Sequence, residues 1–163
     1  MSEQIQLIEV LSSEEIDLIE AEIAHLPDRQ SAAIEALRIV QSKRGWVSDE
    51  SLRAIAAQLE MSAEALDSIA TFYNLIFRQP VGRHVIMLCD SVSCFVMGSE
   101  EVRTRVCEHL GVGVGETTAD GKYTLLPVVC LGACDRAPVM TVDETLVTHL
   151  SIDSVGTTLD EFD

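Results

Sequence analysis

Basic side chains are scarce in this sequence: 11 Lys and Arg stand against 27 Asp and Glu. The deficit runs through the whole chain, with 5 basic against 14 acidic residues in 1–77 and 6 against 13 in 78–163. A surface that grips a phosphate backbone needs a basic footprint, so nucleic acid is not an expected partner. An acidic surface suits solubility and docking to a basic protein face. Long apolar runs are missing too. The longest, such as Thr124 to Leu131, fall far short of a membrane span, so no direct membrane contact is expected. The start, Met1-Ser2-Glu3-Gln4, has neither the basic region of a signal peptide nor the Arg-rich character of a transit peptide. A cytoplasmic location is the expectation. No P-loop is found. The glycine-rich stretch Gly111-Val112-Gly113-Val114-Gly115-Glu116 follows a helical pattern instead of a strand and carries Glu at its sixth position, so it fails the dinucleotide fingerprint and reads as a flexible connector.

What is present is a globular composition, 47% hydrophobic and 23% charged. The first half is all-α. Ser12 and Glu15 make a capping box before apolar positions Ile16, Ile19, Ile23 and Leu26, and Pro27-Asp28 breaks that helix. A second helix is predicted from Gln30 to Arg44, with Ala33, Ala36, Leu37 and Val40 on one face and Gly45 as its stop. Ser48 caps a third, with Leu52, Ile55, Ala56 and Leu59 inward. Ser62 caps a fourth, with Leu66, Ile69, Ala70 and Tyr73 inward. The last two resemble a helix-turn-helix, but the recognition position reads Ala63-Glu64-Ala65-Leu66-Asp67-Ser68, with two acids and no Arg, Lys, Asn or Gln to read base edges. Trp46, after the helix-ending glycine, is expected to plug a corner of the helical core.

Past Arg78-Gln79-Pro80-Val81-Gly82, a turn-rich joint, the period changes. The apolar run His84 to Leu88 predicts a buried strand that delivers Cys89 at its C-terminal end, where α/β sheets place their sites. A helix follows from Ser99, with Val102, Val106 and Leu110 on one stripe. Tyr123 to Val129 predicts a second strand, which delivers Cys130. Val139–Val142 and Leu146–Thr148 predict a hairpin, and Ser151 to Phe162 a final helix interrupted at Gly156-Thr157-Thr158. The expected architecture is α+β: an N-terminal helical bundle over residues 1–77 and, over 78–163, a small α/β unit with thioredoxin-like element order.

Five cysteines, an odd number and clustered, suit metal or redox chemistry better than a disulfide framework. Four form two close pairs: Cys89-x4-Cys94, and Cys130-Leu131-Gly132-Ala133-Cys134 followed by Asp135-Arg136-Ala137-Pro138. A 2Fe-2S unit takes two terminal thiolates at each iron, from two cysteine pairs on separate loops. Zinc also takes four thiolates, usually from tighter C-x2-C knuckles. A thiol–disulfide site would carry C-x-x-C. Spacing favours iron–sulfur and leaves zinc and redox thiols open. Cys107, in Cys107-Glu108-His109, lies mid-helix and reads as a buried thiol; His25, His84 and His149 stand alone. Gly132 lets backbone N–H groups approach sulfur, whereas Asp90 and Asp135 beside ligand positions lower the expected reduction potential, partly offset by Arg136.

Together with Ala70-Thr71-Phe72-Tyr73 and Glu35 to Gln41 upstream, these cysteine motifs resemble the thioredoxin-like 2Fe-2S subunits (the E subunits) of NADH:quinone oxidoreductase, respiratory complex I. The resemblance runs from about Ile16 to Leu150. It implies one 2Fe-2S cluster on metal ligands Cys89, Cys94, Cys130 and Cys134, without Cys107 and without catalytic residues on this chain. It implies an electron-transfer role in which the chain exchanges one electron with FMN beside the main path to quinone. FMN and NADH would sit on the partner flavin subunit (the F subunit), in the peripheral arm of an inner-membrane complex. The same motif serves the diaphorase subunits of NAD-linked hydrogenases and formate dehydrogenases, which is the alternative assembly. A zinc-stabilised adaptor is the alternative from another class.

Overall fold

A computed structural model describes residues 10–162, which leaves the acidic start Met1–Gln4 outside the described residues. Two compact units part between Pro80 and Val81.

The first unit is helical: α1 (Ser13–Ile23), a 3-10 turn (Arg29–Ala32), α2 (Ala33–Arg44), α3 (Asp49–Gln58) and α4 (Ala63–Phe72). Polar caps set the helix starts. The Ser12 hydroxyl accepts from the Glu15 amide at 3.2 Å, and Glu15 accepts from the Ser12 amide at 2.7 Å. Ser48 and Ser62 each accept an amide of their own first turn at 3.1 Å. The apolar stripes then close on one core, with Ile19, Ala36, Leu37, Val40, Ile55, Leu59 and Leu66 fully buried. Four expectations fail. Leu26 is 38% exposed, because α1 ends at Ile23. Tyr73 is 42% exposed, because α4 ends at Phe72 and the chain turns extended there. Trp46 lies half-buried outside the core, and the corner is filled by fully buried Val47, whose amide donates to the Phe77 carbonyl at 2.8 Å. The second helix begins at Ala33, since Asp28 caps the 3-10 turn first. After α4 the chain is held by two side chains. Gln41 donates to the Leu75 carbonyl at 2.8 Å and accepts from the Phe77 amide at 2.6 Å. Arg78 reaches Asp67, Asp49 and the Val47 carbonyl.

The second unit runs β1 (His84–Cys89), α5 (Val92–Val96), α6 (Ser99–Leu110), β2 (Tyr123–Val128), a 3-10 turn (Cys134–Arg136), β3 (Met140–Val142), β4 (Thr145–Val147) and α7 (Ile152–Leu159). The sheet order is β2-β1-β3-β4, with β1 and β2 parallel and the other pairs antiparallel. Strand period 2 sorts β1: Ile86 and Leu88 join Val102 and Val106 of α6 and Val155 and Leu159 of α7 in the main core. Cys89, the last residue of β1, joins a separate small cluster with Cys94, Ala133, Ala137 and Val139.

Three details depart from expectation. The five-residue α5 has no counterpart among the expected elements; one turn carries too little periodicity to read. The final helix forms despite Gly156: Ser151 caps it, Val155 and Leu159 are buried in the main core, and the Tyr123 hydroxyl lies within hydrogen-bond reach of the Leu159 and Phe162 carbonyls, at 2.7 and 2.8 Å. The glycine stretch is tied to β2 instead of flexible: the Gly115 amide donates to Leu125 at 2.7 Å, the Leu125 amide to Glu116 at 3.0 Å, and the Gly113 amide to the Glu116 carboxylate at 2.7 Å.

Candidate metal centre

The two cysteine loops leave the same end of the sheet. Parallel pairing sets Cys89 of β1 opposite Val128 of β2, and Cys130 follows two residues later. The Asp90 amide donates to the Val128 carbonyl at 2.8 Å, so the loops stay side by side as the strands end. α5 then folds Cys94 back beside Cys89. The second loop covers the first pair, with Ala133, Ala137 and Val139 buried around both sulfurs and Leu131 packed against them.

The four thiols stand as two unlike pairs. Cys89 and Cys94 are 1% and 0% exposed, while Cys130 and Cys134 are open to solvent with their sulfurs 3.9 Å apart. Among the described residues, no three His, Cys, Asp or Glu side chains gather so as to hold a single metal ion. A 2Fe-2S unit would take two thiolates at each iron. Cys107 lies apart, packed on the main core with Leu110.

The donors around the sulfurs are backbone and hydroxyl groups. Gly132, at φ +75, aims its amide at Cys130 Sγ, 3.3 Å away. That left-handed conformation favours a residue without a side chain. Burial pushes the Cys89 thiol up, but the Ser91 hydroxyl and the amides of Ser91 and Leu131 outweigh it and hold the group below its ordinary value. Burial, then Cys89 beside it, pushes the Cys94 thiol up, against the amide of Val139. Thiolate sulfur is the metal ligand, and N–H donors aimed at thiolates are what an anionic cluster requires around it. The donor set, the pairing and the amide cradle all fit a 2Fe-2S group.

The electrostatics are milder than the adjacent carboxylates imply. Arg103, on the polar side of α6, pairs with Asp90 at 2.6 Å and with Glu100 at 3.1 Å, and Arg136 lies 3.7 Å from Asp135. Sequence reasoning counted Asp90 but missed Arg103, which is distant in sequence from any cysteine motif. It also missed Ser91, although a serine ahead of a short apolar turn is a cap signal.

The chain matches known proteins in keeping with this site. It is 47% identical over 153 residues to the E subunit of NADH-quinone oxidoreductase from Pseudomonas aeruginosa, covering 94% of this chain and 92% of that protein. It is 45% identical over 152 residues to the protein of the same name from Escherichia coli strain K12, covering 93% and 92%. In fold it is similar to a crystal structure of an NAD+-reducing NiFe-hydrogenase in the H2-reduced state, with TM-score 0.69 and 19% identity over 80% of this chain and 22% of that longer one. Residues 19–163 match the family described as thioredoxin-like 2Fe-2S ferredoxin. With paired thiols at adjacent strand ends and this match over most of its length, the chain belongs to the thioredoxin-like 2Fe-2S ferredoxin family.

Proposed function

We propose that the chain is the electron-transfer subunit of an NADH-quinone oxidoreductase, in which Cys89, Cys94, Cys130 and Cys134 hold one 2Fe-2S cluster. The observation that carries this is the delivery of two thiol pairs to one end of the sheet by neighbouring parallel strands. When bound, such a cluster accepts and returns single electrons. The protein's own task is to bind, orient and shield. Cys89 and Cys94 anchor the buried side, Cys130 and Cys134 the solvent side, and the amides of Leu131, Gly132 and Val139 supply fixed dipoles toward sulfur. Acid, base and nucleophile are not required of it.

The partner is the NADH-binding flavin subunit, in the peripheral arm. Exposed apolar side chains stand on both cysteine loops: Val92, Phe95 and Val96 on α5 with Met97 at its C-cap, and Val129 beside Cys130. Exposed apolar side chains on the loops of an exposed thiol pair suit a stable protein partner at electron-exchange distance. Among the described residues no helix is long and apolar enough to cross a membrane. A hydrogenase or formate dehydrogenase could use the same site. The quinone-linked assembly is favoured because relatives bearing that name align over 92% of their length.

The test is reconstitution with the purified flavin subunit under anaerobic conditions. NADH should reduce this chain's cluster only when that subunit is present. A cluster that NADH and the flavin subunit together leave oxidised, yet dithionite reduces, would overturn the partner assignment.

A further inference from the structure

The hydroxyl of Ser91 does not do what its position predicts. Ser91 is the N-cap of α5, with extended backbone at φ −80 and ψ 160. At the other serine N-caps, Ser12, Ser48, Ser62 and Ser151, the side-chain oxygen accepts an amide of the first turn. Ser91 makes no such capping bond. Its Oγ lies instead 3.4 Å from Cys89 Sγ. A helix start gives up its cap, and a buried sulfur gains a polar neighbour.

We propose that Ser91 is a positioning residue that sets the reduction potential, its hydroxyl donating a hydrogen bond to Cys89 sulfur once that sulfur is a ligated thiolate. This rests on the reading of Cys89 as a cluster ligand. A ligated thiolate has no proton to give, so between these two atoms only the Ser91 O–H can donate. The surrounding amide donors are fixed by the backbone, whereas this hydroxyl rotates and strengthens as charge on the sulfur grows. Reduction adds one negative charge to an already anionic group, so a donor to sulfur favours the reduced form and raises the potential. Cys89 is 1% exposed, so few solvent donors reach its sulfur in place of that hydroxyl. The electron comes from the reduced flavin of the partner and returns to its oxidised form. Ser91 keeps its proton, and no bond within the protein is made or broken.

The experiment compares wild-type chain with S91A, S91G and S91T, each purified whole and anaerobically. Iron and sulfide are assayed first, and the midpoint is then read by EPR-monitored titration with dithionite and mediators. At the wild-type midpoint, S91A should show about a tenfold lower ratio of reduced to oxidised cluster, 59 mV downward for a one-electron couple. S91T, which keeps the hydroxyl, should restore most of it. S91G serves if S91A does not load, since glycine is tolerated at an N-cap. Full loading with an unmoved midpoint in S91A or S91G would overturn the role. So would loss of loading in both with normal loading in S91T, because the hydroxyl would then hold the cluster in place and not poise it. Wild-type protein without iron and sulfide would instead sink the ligand assignment beneath it.

Discussion

Glu15 shows how one side chain can hold a small helical unit together. It is 2% exposed, completes the α1 capping box and meets the Arg44 guanidinium at 2.7 and 2.6 Å; Arg44 also reaches Ser51 and the Val10 carbonyl. Burial pushes its carboxyl up, but hydrogen bonds from Arg44 and from the backbone and hydroxyl of Ser12 outweigh that and hold it below its ordinary value. The folded state therefore binds this proton less readily than the unfolded state. The stabilisation is complete above the unfolded value of about pH 4.3 and drains away as pH falls through the lower folded value. E15Q should cost about 3 kcal/mol at pH 7, the low end for breaking a buried pair, because Arg44 stays partly solvated. Fluorescence of Trp46, the single tryptophan, reports unfolding of this unit in urea. Wild-type protein should lose more stability than E15Q between pH 7 and pH 3; parallel curves would reject the pairing as the cause. Legibility at this scale was uneven. The Ser12–Glu15 box and the cysteine pairs are spaced within one turn or loop, so sequence shows them. Arg44 on Glu15 and Arg103 on Asp90 meet across elements, and nothing local announces them.

At the scale of elements, periodicity foretold the four helices of the first unit and both parallel strands. It missed α5, which is one turn long, and treated Gly156 as a break where Tyr123 clamps the helix end from another element. Y123F should therefore leave the fold intact but loosen α7 by about 1 kcal/mol, the usual net worth of one hydrogen bond. Faster amide exchange confined to residues 152–159 would bear this out, and unchanged exchange would refute it. Two glycines separate strain from crowding. A Cβ on Gly132 would meet nothing within 4 Å, so G132A bears only the left-handed backbone penalty, roughly 1–2 kcal/mol. A Cβ on Gly82 would lie 2.9 Å from the Lys122 carbonyl oxygen and the Tyr123 backbone, which cannot rotate aside. G82A should thus disturb the β1–β2 edge more than G132A does, by about 1–3 kcal/mol of overpacking. Thermal melts of the loaded proteins rank the two, and the reverse order would show that the strand edge yields.

For the whole molecule, net charge and the exposed apolar side chains make different demands on docking. The chain carries a formal charge of −16, which favours encounter with a basic face and makes the association rate fall with salt. Val92, Phe95, Val96, Met97 and Val129 are exposed and, in the proposed docking, would hold the complex by apolar burial. V96D should raise the dissociation rate from the flavin subunit by tenfold or more, about 1.4 kcal/mol, without altering iron or sulfide content. An unchanged rate would move the docking face elsewhere. All of this stands on the four cysteines. The most direct test is iron and sulfide analysis with EPR on anaerobically purified chain beside its five single Cys→Ser variants. The account predicts about two irons and two sulfides per chain, no signal when oxidised and one spin-half signal after dithionite. These should be lost or altered in C89S, C94S, C130S and C134S and kept in C107S. One zinc without a reducible signal, or a signal that needs Cys107, would contradict it.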